Sequence, residues 1–181
     1  MKKPNWRLWL KDEKECKSWL DYYTKKKILR KRKDESKLYL KKTDHNLHLA
    51  NWIMEKHKDE IPEMFGEEKF YDWTINMYYY AIYHSAMALV SKKNYSSKNH
   101  SATLCFLIYH FCHLQENIDE EDVELIVESL NKEDVETIGS SKEIREKASY
   151  DIHETFEYKL ADDLRKQTIE LINKIKLLIE K

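Results

Sequence analysis

Apolar positions in this chain recur at the spacing of a helix rather than of a strand. From about Glu35 to Lys58, Leu40, Leu47, Ala50 and Met54 fall on one side, helped by Leu49 and Ile53, which predicts an amphipathic helix. Asp34 stands where a cap would open it, and Pro62 and Gly66 mark the break that follows. The segment Phe70 to Ser91 is the strongest core candidate, with Trp73, Met77, Ala81, Ser85 and Ala88 recurring about one turn apart. Tyr78, Tyr79 and Tyr80 cannot all face one way, because neighbours on a helix point about 100° apart. The small residues Ala81, Ser85 and Ala88 would let a second helix approach closely.

Leu104, Leu107, Ile108 and Phe111 give a face to a further helix from about Ser101 to Leu114. Leu104 to Tyr109 alone has the length of a strand, but the flanking periodicity favours helix. Asp119 to Leu130 supplies Val123, Ile126, Val127 and Leu130, and its acidic first turn suits the positive end of a helix dipole. Gly139, Ser140 and Ser141 mark another break. A last helix is expected to start near Thr155, with a near-heptad seam of Leu160, Leu164, Thr168, Leu171, Ile175 and Leu178. That seam needs a partner, inside the bundle or across a dimer axis. Lys14 to Lys33 has helix-forming composition but a poor stripe, anchored by Trp19, Tyr22, Tyr23 and Leu29, and reads as a surface helix or a projecting arm. The pattern therefore predicts an all-α antiparallel bundle of about five or more helices, with a basic N-terminal helical segment or arm over 1–34 and the bundle over 35–181.

Composition agrees. The chain has 181 residues, enough for one domain with a real core, and holds only two glycines and two prolines. So few turn residues argue against many strands, and the scattered glycines exclude a Gly-rich phosphate loop. Charge adds a second theme. The formal net charge is -1, yet Met1 to Lys42 carries 16 Lys or Arg against 6 Asp or Glu. The densest basic stretch, Lys25 to Lys33, suits nucleic-acid phosphates, an acidic partner or simply solvent. Charges interrupt the N-terminus from Lys2 to Lys17, unlike a signal peptide. The uncharged run Trp73 to Ser91 includes Thr74, Asn76, four tyrosines and His84, which suits a buried helix better than a membrane span. Cys16, Cys105 and Cys112 form no CxxC pair and read as small buried hydrophobes of a reducing, cytoplasmic protein.

Three segments, in order, carry a family resemblance. Tyr78 to Leu89 resembles the tyrosine- and alanine-rich second core helix of prokaryotic HEPN proteins. Ser96-Ser97-Lys98-Asn99-His100-Ser101 looks like their S-x-K-x-H-S linker, and Arg145-Glu146-Lys147-Ala148-Ser149-Tyr150 is similar to their R-x-x-A-D-Y segment. Asp163 to Ile179 would match the family's last long helix, so the likeness runs from about Glu35 to Lys181. The resemblance implies a helical bundle, commonly a homodimer, often a toxin partnered by a nucleotidyltransferase antitoxin or a component of RNA-directed defence. It also implies, for active members, a ribonuclease that uses no metal or other cofactor. Its signature is an arginine, four to six residues, then a histidine. Members lacking it act as binding or scaffold versions.

Arg145 matches the family arginine, but seven residues separate it from His153, Tyr150 stands where a common form has histidine, and Ser149 replaces the aspartate. These departures weigh against catalysis. On the enzyme reading, Arg145 clamps phosphate through its planar fork, His153 takes the ribose 2′-hydroxyl proton, and Tyr150 is a positioning donor. Lys98, Asn99 and His100, at a helix entrance, are candidates for binding phosphate or a nucleotide, unless Asn99 or Ser101 merely caps the helix while His100 anchors the loop. His110 and His113 share a helix face but lack a set of about four ligands, so no metal site is expected. The two functional expectations are an RNA-binding, RNA-cleaving protein and a non-catalytic scaffold that binds a nucleotide or partner.

Overall fold

A computed structural model describes residues 3–115, 117–130 and 157–180. In chain order the elements are α1 (Trp6–Lys11), α2 (Glu13–Lys25), β1 (Leu29–Lys31), α3 (Ser36–Lys56), α4 (Glu60–Phe65), α5 (Tyr71–Lys92), β2 (Tyr95–Ser97), α6 (His100–Leu107), a π-helical turn (Ile108–His113), α7 (Glu120–Ser129) and α8 (Tyr158–Glu180). The protein is an all-α bundle with one small two-stranded sheet.

The bundle is built around α5. Its Ile75, Tyr78, Ala81, Ile82, Ser85, Ala86, Ala88 and Leu89 are completely buried. α3 lies antiparallel to it: the Glu35 amide donates to Ser91 Oγ at one end (2.7 Å), Tyr78 hydroxyl to Asn51 Oδ1 midway (2.9 Å), and the Phe70 amide to His57 Nε2 at the other (3.0 Å). Burial pushes the Tyr78 hydroxyl far above its ordinary range, so it stays a neutral donor. α8 runs beside α5 in the same direction and antiparallel to α3, with Arg165 paired to Glu55 (2.9 Å) and Lys176 to Asp44 (2.6 Å). The α8 seam is thus buried inside the bundle: Leu164, Thr168, Leu171 and Ile175 are covered, along with Ala161, Ile172 and Ile179.

Trp73 departs from expectation: it is 60% exposed although it heads the predicted core row. Steps of four residues overshoot a 3.6-residue turn by about 40° each. Three such steps carry the row from exposed Trp73, through half-buried Met77, to fully buried Ala81 and Ser85. The tyrosine run splits as geometry requires, with Tyr78 and Tyr79 inside and Tyr80 outside.

The N-terminal segment is not a projecting arm. Trp6, Trp9, Cys16, Tyr23 and Leu29 all join the core, and α1 and α2 pack on α6 and the π-helical turn. His113 Nε2 lies 2.8 Å from the Trp9 carbonyl, and Trp9, Trp19, Tyr22 and Tyr23 form a ring cluster with centroids 5.6 to 6.5 Å apart. The Cys16 and Cys105 sulfurs are 3.9 Å apart and each thiol faces the other's carbonyl, so both serve as packing groups. The Cys16 thiol beside it, together with burial, raises the Cys105 thiol, and burial pushes Cys112 up to about 12, which keeps both protonated.

The helix expected to reach Lys33 instead stops at Lys25. The Lys27 amide donates to the Thr24 carbonyl and the Ile28 amide to the Tyr23 carbonyl, with Lys27 in the left-handed region (φ 57°). This is a Schellman ending without its usual glycine. α5 ends on another left-handed residue, Asn94 (φ 60°), whose amide donates to the Ser91 carbonyl.

Candidate functional site

These two helix endings create the site. They turn the chain after α2 and after α5 into antiparallel strands, with Leu29 opposite Ser97, Arg30 opposite Ser96 and Lys31 opposite Tyr95. The ladder is extended at both ends, by the Arg32 amide donating to the Asn94 carbonyl (2.8 Å) and the Lys98 amide to the Ile28 carbonyl (3.1 Å). Leu29 is the inward anchor, 1% exposed, while Lys25, Lys26, Lys27, Arg30, Lys31, Arg32 and Lys33 are all exposed. A basic run that reads as one solvated helix face is therefore bent into a helix end plus a strand. Its strand lies against the segment that carries Lys98, Asn99 and His100.

Asn99 is the N-cap of α6. Its Oδ1 accepts from the Ala102 amide (2.8 Å), while its carbonyl accepts from the Ser97 and Thr103 hydroxyls. The cap occupies one of the backbone donors that an anion would otherwise use, so Asn99 shapes the loop at the entrance of α6. His100 is half-buried and meets the Tyr83 ring edge-on, with centroids 5.9 Å apart. Lys98 is exposed and adds its charge to those of β1. Arg30 is held in place by its Nε, which donates to the Lys27 carbonyl (2.6 Å), and Arg32 pairs with Glu35 at 3.4 Å. Of the three candidates, Lys98 alone presents an exposed cation, with Asn99 and His100 ordering the loop around it.

Arg145, Tyr150 and His153 lie outside the described residues. His110 and His113 have separate duties: His110 packs on Phe106 (4.2 Å between centroids), and His113 contacts the Trp9 carbonyl. Among the described residues no group of three or more His, Cys, Asp or Glu could hold a metal ion, and no helix is long and apolar enough to cross a membrane.

A second surface feature has the opposite sign. Between α7 and α8, Asp119, Glu121, Asp122, Glu124, Glu128 and Glu170 line a groove. Lys174 bridges Asp119 (2.8 Å) and Asp122 across it. Its carboxylates repel phosphate, so this groove disfavours an anionic polymer.

Sequence reasoning found the basic run and the α6 entrance separately but not their union. No glycine marks the end of α2, so the turn that joins them was hidden. No protein-family model matches this chain, and no curated protein matches it.

Proposed function

We propose that this chain is an HEPN-like RNA-binding protein that holds the RNA backbone on the β1–β2 face, through Arg30, Lys31 and Lys98 with the flanking lysines. The observation that carries the reading is the antiparallel pairing of Leu29–Lys31 with Tyr95–Ser97, which sets the basic run beside the S-x-K-x-H-S linker. Seven exposed cations between Lys25 and Lys33, with Lys98 beside them, make a cluster whose main reward for binding is release of counterions from phosphate.

On the same reading two copies pair in the cytoplasm, and Arg145 with His153 cleaves the bound strand without metal. The 2′-oxygen, giving its proton to His153, attacks the adjacent phosphorus, and the bond to the 5′-oxygen of the next nucleotide breaks. That oxygen leaves with a proton from water or the imidazolium, so that a cyclic phosphate end remains. Arg145 steadies the charge that develops on phosphate, and His153 is the base. The natural partner on this reading is a nucleotidyltransferase antitoxin. The test is labelled single-stranded RNA in chelator-containing buffer. Binding weakened by Arg30→Ala with Lys31→Ala, and cleavage lost on Arg145→Ala, support it. Equal affinity for wild type and the double variant contradicts it.

A second reading is a non-catalytic scaffold that binds a nucleotide or protein partner, favoured by the seven residues between Arg145 and His153. No cleavage at any protein concentration, with normal dimerisation, selects it.

A further inference from the structure

α5 is covered by α3 on one side and α8 on another, but among the described residues one stripe of it stays open. Trp73, Met77, Tyr80 and His84 are spaced 4, 3 and 4 residues apart and share that side. Trp73 is 60% and Tyr80 59% exposed, while Met77 and His84 are half-buried between and beyond them. Two rings presented this far into solvent on the central helix of a bundle are not needed for packing, which Tyr78 and Tyr79 supply from the same helix. Seven residues place Trp73 and Tyr80 two turns apart, about 10 Å along the axis.

The stripe does not end in an apolar surface. At its C-terminal end His84 lies beside Tyr83 (5.1 Å) and Tyr39 (6.4 Å), and Tyr83 meets His100 (5.9 Å), next to Lys98 and the β1–β2 face. Burial, helped by the charge of Lys42 on α3, holds the His84 imidazole below its ordinary value. The sequence along this surface is therefore aromatic rings followed by cations. It is the complement of an unpaired nucleic acid, which offers flat bases and a row of phosphates. A second copy of the chain would have to bury Lys42 and the polar edge of His84 without a carboxylate on the stripe itself to match them.

Resting on the RNA-binding reading above, we infer that Trp73 and Tyr80 form a base-stacking platform for single-stranded RNA whose backbone continues onto Lys98 and β1. The rings stack on bases regardless of sequence, and the cations hold the strand in place.

The experiment titrates wild type, Trp73→Ala, Tyr80→Ala and the ring-keeping pair Trp73→Phe and Tyr80→Phe with a fluorescein-labelled single-stranded RNA. A second probe of equal length carries abasic riboses. The salt dependence of each Kd is recorded, with dimerisation followed by sedimentation. Each alanine variant is expected to weaken intact RNA about tenfold, the phenylalanine variants to restore most of it, and the slope against salt to stay fixed. The abasic probe should bind wild type and the alanine variants equally. Wild-type binding with the usual salt slope but no loss in either alanine variant overturns the platform and leaves the β1–β2 reading standing. No RNA binding by wild type removes both. Loss of self-association in the alanine variants with RNA affinity intact makes the stripe a surface between copies and also overturns it.

Discussion

At the scale of single residues, the site depends on two backbone conformations that side chains normally resist. Lys27 and Asn94 are both left-handed, and each turns the chain into one of the two strands. Asparagine tolerates this region, whereas a lysine there pays for its Cβ. Lys27→Gly should therefore raise unfolding stability by about 1 kcal/mol, read as a higher urea midpoint at unchanged m-value. A lower midpoint would show that the Lys27 side chain is needed for the turn. Titratable residues give a second expectation. Burial, with the neighbouring charge of Lys42 for His84 and of Lys93 for His110, holds both imidazoles below the ordinary value of 6.5. The unfolded chain takes up protons that these buried groups refuse, so the stability they preserve is present above pH 6.5 and lost as pH falls through and below it. Denaturant midpoints at pH 7.5 and 5.5 should fall on acidification, and His110→Phe should reduce the fall. A midpoint that rises on acidification would contradict the buried, neutral assignment.

At the scale of elements, helices with long stripes were legible in the sequence to within a few residues. The α3, α5 and α7 ranges follow the expected segments because the apolar positions and the breakers between them agree. A side-chain cap adds to this only in α7, where Asp119 accepts from the Asp122 amide and Asp122 returns the bond, whereas α3 opens on Glu35 rather than on a capping Asp34. Less legible were features set by tertiary context. The end of α2 carries no glycine, and α6 gives way at Ile108 to a wider π-helical turn that no residue announces. The burial of α1 and α2 rests on Trp6, Trp9 and Cys16, which are too few and too irregular to make a stripe. Of the candidate site, the sequence held Lys98, Asn99 and His100 and, as one of two readings, the capping duty of Asn99, but not the strand pairing that sets the basic run beside them. A substitution pair separates the two jobs. Asn99→Ala should cost about 1 kcal/mol of stability through the lost α6 cap, with little effect on the salt dependence of RNA binding. Lys98→Ala should leave stability unchanged and weaken RNA. Circular dichroism melts and binding isotherms on both proteins check this, and a reversal of the two effects would return Asn99 to the phosphate contact.

At the scale of the whole molecule, a near-neutral chain divides its charge between surfaces. The formal net charge of -1 conceals the cationic β1–β2 face and the acidic α7–α8 groove, so bulk charge says little about what approaches where. The core that holds these surfaces apart is continuous from Trp6 to Ile179, which makes the cationic face part of the bundle rather than an appendage. Removing the first 34 residues should therefore unfold the protein instead of freeing a stable core, because Trp9, Cys16 and Leu29 leave a large apolar cavity behind. Limited proteolysis and a thermal melt of the truncated chain decide that, and a cooperative melt near the full-length midpoint would refute it. The most direct measurement is the slope of log Kd against log salt for single-stranded RNA, compared between wild type and the triple variant Arg30→Ala, Lys31→Ala, Lys98→Ala. Three lost phosphate contacts should make the slope shallower by about 2. Parallel lines for the two proteins, or no RNA binding by wild type at low salt, would contradict the account.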